Sequence, residues 1–151
     1  MKYVLTVLAL IGVLSAPARA EMVSPIMAED AQIKLGIGER PAAMFVTLHN
    51  KGAATRLIGA TSDAFARIEL HSHEMGGGMM RMVKVDDFAV PANGMLTLKP
   101  GGYHLMLFGF NADADAPVQV TLQFANGQTV ETMATPSVRQ KRMPHGGMHG
   151  H

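Results

Sequence analysis

Two histidines, His71 and His73, stand two residues apart in the stretch ELHSHEMGGGMMRMVKV, Glu69 to Val85, and four methionines follow them around three consecutive glycines. A second stretch, GGYHLMLFGF, sets His104 two residues before Met106. The whole chain holds 13 methionines and no cysteine. Imidazole nitrogen and thioether sulfur are neutral donors. Thioethers bind Mg²⁺ and Ca²⁺ poorly and zinc sites seldom use them, whereas they select Cu(I), and imidazole suits copper in either oxidation state. With neutral donors alone the charge of a site is that of its ion, which favours +1 over +2. The absence of a thiolate excludes a blue-copper electron-transfer centre. Nor is there an activated nucleophile or a paired-carboxylate motif. These residue types point to holding and passing on an ion, not to catalysis.

The elements that would carry these side chains read as short strands. Ala43–Asn50, Arg67–His73, Met79–Val85, Met95–Lys99, Tyr103–Phe108, Val118–Phe124 and Gln128–Ala134 lean towards a period of two. Asn93-Gly94, Pro100-Gly101-Gly102 and Asn126-Gly127 punctuate them as turns. No twelve-residue stretch has a helical period, so an antiparallel sandwich or barrel is expected. In such strands residues two apart share a face. His71 and His73 therefore lie together, as do His104 and Met106, and Met80, Met82 and Lys84. Leu105, Leu107, Val83 and Val85 point the other way. Core filling would mix methionine with valine and leucine; it would not segregate imidazole with thioether. Singly placed residues get the plainer reading: Met44, Met95 and Met133 as flexible core side chains, and His49 as a surface histidine with no methionine companion.

The two ends differ from the middle. Residues 1–20 have a basic Lys2, an apolar run from Val4 to Leu14 and the small-x-small triplet Ala18-Arg19-Ala20, a secretory signal peptide cleaved before Glu21. The run is too short for a permanent membrane span. Its removal takes 13 basic residues to 11 against 12 acidic ones, a balance that gives no electrostatic reason to bind nucleic acid or an anionic membrane. The mature domain, 21–135, is the size of one folding unit. Without cysteine it relies on its core and not on disulfides. Residues 136–151, PSVRQKRMPHGGMHGH, offer little to bury and are expected to be a disordered tail. Its Met143, His145, Met148, His149 and His151 have a metal-binding composition, with the imidazoles suited to Cu(II).

The spacing His71, ten residues, Met82, twenty-one residues, His104, one residue, Met106 resembles the H-x10-M-x21-H-x-M signature of the PCu(A)C copper chaperones. The flanking ELHSH, MRMVKV and PGGYHLML are similar to that family too, and the likeness spans about Ala42 to Ala134. It implies a cupredoxin-like Greek-key β-barrel. It implies Cu(I) held by His71, Met82, His104 and Met106 in a shallow accessible site. It also implies delivery to the dinuclear copper site on the copper-bearing subunit of cytochrome c oxidase, alongside Sco-type thiol proteins. His73 is an additional candidate, and Met75, Met79 and Met80 lie near the motif. The tail resembles an extension carried by some members, and Met27 stands where an aromatic residue is typical. Two other readings are compatible with the residues: a periplasmic copper-buffering or resistance protein with no dedicated recipient, and a β-sandwich structural module that binds no metal.

Overall fold

The computed structural model describes residues 24–138; residues 1–23, which include the expected signal peptide, and residues 139–151 lie outside the described residues. Ten strands follow in order: β1 (Ile26–Leu35), β2 (Ala42–Asn50), β3 (Thr55–Thr61), β4 (Phe65–Gly76), β5 (Met79–Val85), β6 (Phe88–Val90), β7 (Gly94–Leu98), β8 (His104–Phe110), β9 (Val118–Phe124) and β10 (Thr129–Val138). There is no helix among the described residues. The hydrogen-bonded path runs β5-β4-β8-β2-β1-β10-β9-β3-β6, and β7 pairs with the far end of β2.

The sheet folds on itself around one core. Met44, Val46 and Leu48 of β2 and Leu105 and Leu107 of β8 meet Leu57 of β3 and Val120, Leu122 and Phe124 of β9 in a single buried cluster. Each such side chain contributes about 1.5–3 kcal/mol by leaving water. β2 shows the cause most plainly, since its buried and half-buried positions alternate without a break from Ala42 to Asn50.

The all-β expectation holds, with one exception to the antiparallel pattern. β1 and β10 run parallel, Gln32 opposite Thr135 and Leu35 opposite Val138. The two strands join the halves of the fold, and Pro136 to Val138 belong to that pairing. Strand β10 therefore runs three residues past the boundary expected at 135. Three strands escape the sequence pattern: β1, β3 and β6. β1 has a bulge between Glu29 and Gln32, with Asp30 at φ 54°. Its buried positions are even-numbered before the bulge (Ile26) and odd-numbered after it (Ile33, Leu35). β3 repeats the device, shifting register between Leu57 and Gly59. β6 has only three residues.

The strands that carry the candidate donors are set by two features. Gly77 and Gly78, at φ 59° and 77°, make the two-residue turn from β4 to β5, a conformation other residues adopt only with strain. That turn pins the register His73 opposite Met82. On the other side β8 runs antiparallel to β4 with His71 opposite His104.

Candidate metal centre

Cross-strand partners in an antiparallel pair point to the same face, with Cβ atoms about 4.5–5.5 Å apart. Three rows therefore stack on the outward face of β8, β4 and β5. Met106 lies opposite Glu69. His104 lies opposite His71, which in turn faces Lys84. His73 faces Met82. The imidazoles of His71 and His73 lie 5.9 Å and 5.2 Å from that of His104, centroid to centroid, and Phe45 of β2 closes the fourth side at 6.4 Å. Under this cover His104 is only 3% exposed, although it points away from the core. Met106 is half-buried, while Met82, on edge strand β5, is exposed.

The hydrogen bonds orient the three rings. Glu69 Oε2 lies 3.0 Å from His71 Nε2, and a carboxylate can only accept, so Nε2 carries the proton. In the neutral ring the lone pair is then on Nδ1. That atom is buried with no hydrogen-bond partner among the described residues. An orphaned buried acceptor is costly, and a bound cation is the kind of group that would satisfy it. The Gly102 carbonyl does the same service for the other two rings, accepting from His104 Nδ1 at 3.0 Å and from His73 Nδ1 at 3.2 Å. Both rings are left with the lone pair on Nε2. Burial lowers the pKa of His104 below its ordinary value, and the charges that His73 and His71 can carry lower it further, against the Gly102 bond. A ring so placed is a free base at neutral pH and ready to donate. The His71 hydrogen bond, with smaller help from Lys84 and Arg67, holds Glu69 below the usual carboxylate range despite partial desolvation.

No group of three or more His, Asp or Glu side chains among the described residues converges on one point where it could hold an ion. The other candidate donors on this face are thioethers. The structure brings His71, His73, His104 and Met106 side by side and sets Met82 at the rim, diagonal to His71. Met75 and Met80 face each other near the hairpin tip, next to Met79, all three exposed. Met143, His145, Met148, His149 and His151 lie outside the described residues. Glu69, Phe45 and the Gly102 carbonyl were not among the expected site residues. Glu69 was findable, because it precedes His71 by two and so shares its face. Phe45 and Gly102 come from elsewhere in the chain, and only the fold delivers them.

Two methionines assigned to the core are not in it. Met44 is fully buried, but Met95 is 58% and Met133 57% exposed. Met95 precedes buried Leu96, and Met133 precedes buried Ala134. The alternation turns both outward.

An all-β fold whose outward face carries this imidazole and thioether platform defines the PCu(A)C type of domain. The structure superposes on the copper-bound PCuAC domain from PmoF2 with a TM-score of 0.64, over 78% of this chain and 96% of that one, at 22% identity, which speaks to fold alone. It superposes on the solution structure of CuI-DR1885 from Deinococcus radiodurans with a TM-score of 0.54 and 28% identity, over 84% of this chain and 85% of that one. Residues 26–136 match the family model described as "Putative lipoprotein LpqE-like". A relative from Leifsonia xyli subsp. xyli, also named as a lipoprotein, is 33% identical over 119 residues, 76% of this chain and 71% of its own length. The chain belongs to the LpqE-like family.

Proposed function

We propose that this protein is a periplasmic copper metallochaperone. It holds Cu(I) through His71, Met82, His104 and Met106, with His73 beside them, and passes the ion to the dinuclear copper site of cytochrome c oxidase. The observation that carries the reading is the buried, unpartnered Nδ1 of His71, a ring whose centroid lies 5.9 Å from that of His104. The donor chemistry selects the ion, since soft neutral ligands favour Cu(I). Support also comes from the solved relatives, one copper-bound and one a Cu(I) form. The relatives' lipoprotein names fit a place outside the cytoplasm, as does the signal-like start of the sequence.

Accessibility argues for transfer over storage. Met82 lies on an edge strand and is exposed, so a partner's ligand can displace that thioether while the imidazoles still hold the ion. The tail histidines, His145, His149 and His151, would take Cu(II), and the thioethers of Met143 and Met148 would suit Cu(I). Two measurements test the proposal. X-ray absorption of the Cu(I) form is expected to show sulfur and nitrogen scatterers together, and a shell of nitrogen and oxygen alone would sink the ligand set. The loaded protein is expected to metallate the copper-bearing domain of cytochrome c oxidase faster than chelated copper does. Equal rates would leave a copper buffer in place of a chaperone.

A further inference from the structure

His49, read from sequence as a lone surface histidine, has methionines on both sides. In the register of β1 with β2 it faces Met27, and in the register of β2 with β7 it faces Met95. The three side chains form one row across three neighbouring strands, on the same outward face as Phe45. Met27 is 47% and Met95 58% exposed, so neither fills the core. Exposed sheet positions more often hold β-branched or aromatic residues than methionine, and packing gives no reason for two thioethers around one imidazole. Glu29, two residues from Met27 on the same strand, lies 3.1 Å from His49 Nε2. The carboxylate fixes the neutral ring with its proton on Nε2 and its lone pair on Nδ1, the arrangement that Glu69 gives His71.

We propose that Met27, His49 and Met95 form a second site for a soft monovalent cation, Cu(I) or its redox-inert analogue Ag(I). Met27 and Met95 are separated by two strand spacings, roughly 10 Å between backbones, and His49 stands midway. Methionine is unbranched with three rotatable bonds, so both sulfurs can swing to the ring from opposite sides. One nitrogen and two sulfurs, all neutral, make a soft donor set with no preference for hard or divalent ions. The site is separate from the first. His49 lies four residues along β2 from Phe45, about 14 Å at the rise of an antiparallel strand. The inference shares the donor argument of the proposed function but none of its residues.

The test is a titration of the full-length protein with Ag(I), followed through the methionine ε-methyl NMR signals, assigned by single Met→Leu variants. Such changes nearly conserve volume. The Met27 and Met95 methyls are expected to shift together, and His49→Ala is expected to remove both shifts while that of Met106 stays. The double variant Met27→Leu, Met95→Leu is expected to bind one ion fewer by native mass spectrometry, with an unchanged unfolding midpoint. Met133 is an equally exposed thioether whose cross-strand partner is Gln119, and its methyl should not move. Shifts at Met27 and Met95 that survive His49→Ala, or that Met133 matches, would overturn the proposal, as would two silent methyls at saturation. Shifts at Met27 and Met95 with none at Met106 would support this site and count against the proposed function instead.

Discussion

Replacing His104 by alanine should damage stability and copper binding together, whereas Met106→Leu should damage binding alone. His104 is 3% exposed, with its ring enclosed by Phe45, His71 and His73 and its Nδ1 bonded to the Gly102 carbonyl at 3.0 Å. Truncation loses that hydrogen bond, about 1 kcal/mol; Gly102 keeps the His73 donor, so no carbonyl is orphaned. It also leaves a hole where a ring stood. Removing a buried phenyl ring costs about 3–5 kcal/mol, and a smaller ring that is itself costly to desolvate should cost roughly half of that. The sum is roughly 3 kcal/mol. At about 4 °C per kcal/mol for a domain of this size, the midpoint should fall by roughly 10 °C. Met106 is half-buried, and exchange for leucine should cost less than about 1.5 kcal/mol. The assay is thermal unfolding of the metal-free proteins, with Cu(I) affinity measured by chelator competition. A His104→Ala midpoint within about 2 °C of wild type would refute the packing argument. A Met106→Leu variant with wild-type affinity would remove that residue from the ligand set.

Three further outcomes follow from the site's surroundings. Glu69→Ala, which frees the His71 ring to rotate and to change tautomer, should weaken Cu(I) binding by about 10–100-fold, as loss of an orienting partner does; an unchanged competition curve would show that Glu69 orients nothing. The folded-state pKa of His104 is depressed by burial below its ordinary 6.5, so the unfolded chain takes up that proton more readily than the native one. Metal-free stability should therefore be full above pH 6.5 and decline as pH falls through that value towards the folded pKa, and urea titrations across this range should show a flatter slope for His104→Ala. A chain ending at Val138, which keeps the β1 and β10 pairing intact, should lose Cu(II) capacity while retaining Cu(I) at the domain, as read by equilibrium dialysis against each ion; undiminished Cu(II) capacity would dismiss the tail as a site.

The face that carries the candidate donors was legible because β4, β5 and β8 keep strict alternation through these positions. Parity alone set His71 with His73, His104 with Met106, and Met80 with Met82, each within its own strand; that these faces belong together was implied by the resemblance to the H-x10-M-x21-H-x-M signature. The same reasoning failed where parity breaks. The bulge at Asp30 exchanges the inward and outward positions of β1, so IMAEDAQIKL has no consistent period and the place of Met27 was unreadable. Met95 and Met133 were misplaced for a different reason. Methionine is apolar enough to suggest burial, but its side of the sheet is fixed by the neighbouring Leu96 and Ala134. His49 looked solitary because its companions lie across strands and not along one. Cross-strand rows are set by turn lengths and bulges, which residue types alone do not report.

One face therefore holds two kinds of position. His104 is a donor candidate and a packed side chain at once, enclosed between β4 and β2. Met82 touches little, on the last strand of the sheet. Stability constrains the first and leaves the second free to change. For the proposed transfer this gradient sets a direction. An ion held by imidazoles whose tautomers are fixed by Glu69 and Gly102 is gripped from the buried side, and its most replaceable ligand faces solvent at β5. An incoming protein ligand meets the thioether first and the histidines last. Exchange can then proceed one ligand at a time, without exposing the core and without a bare ion in solution.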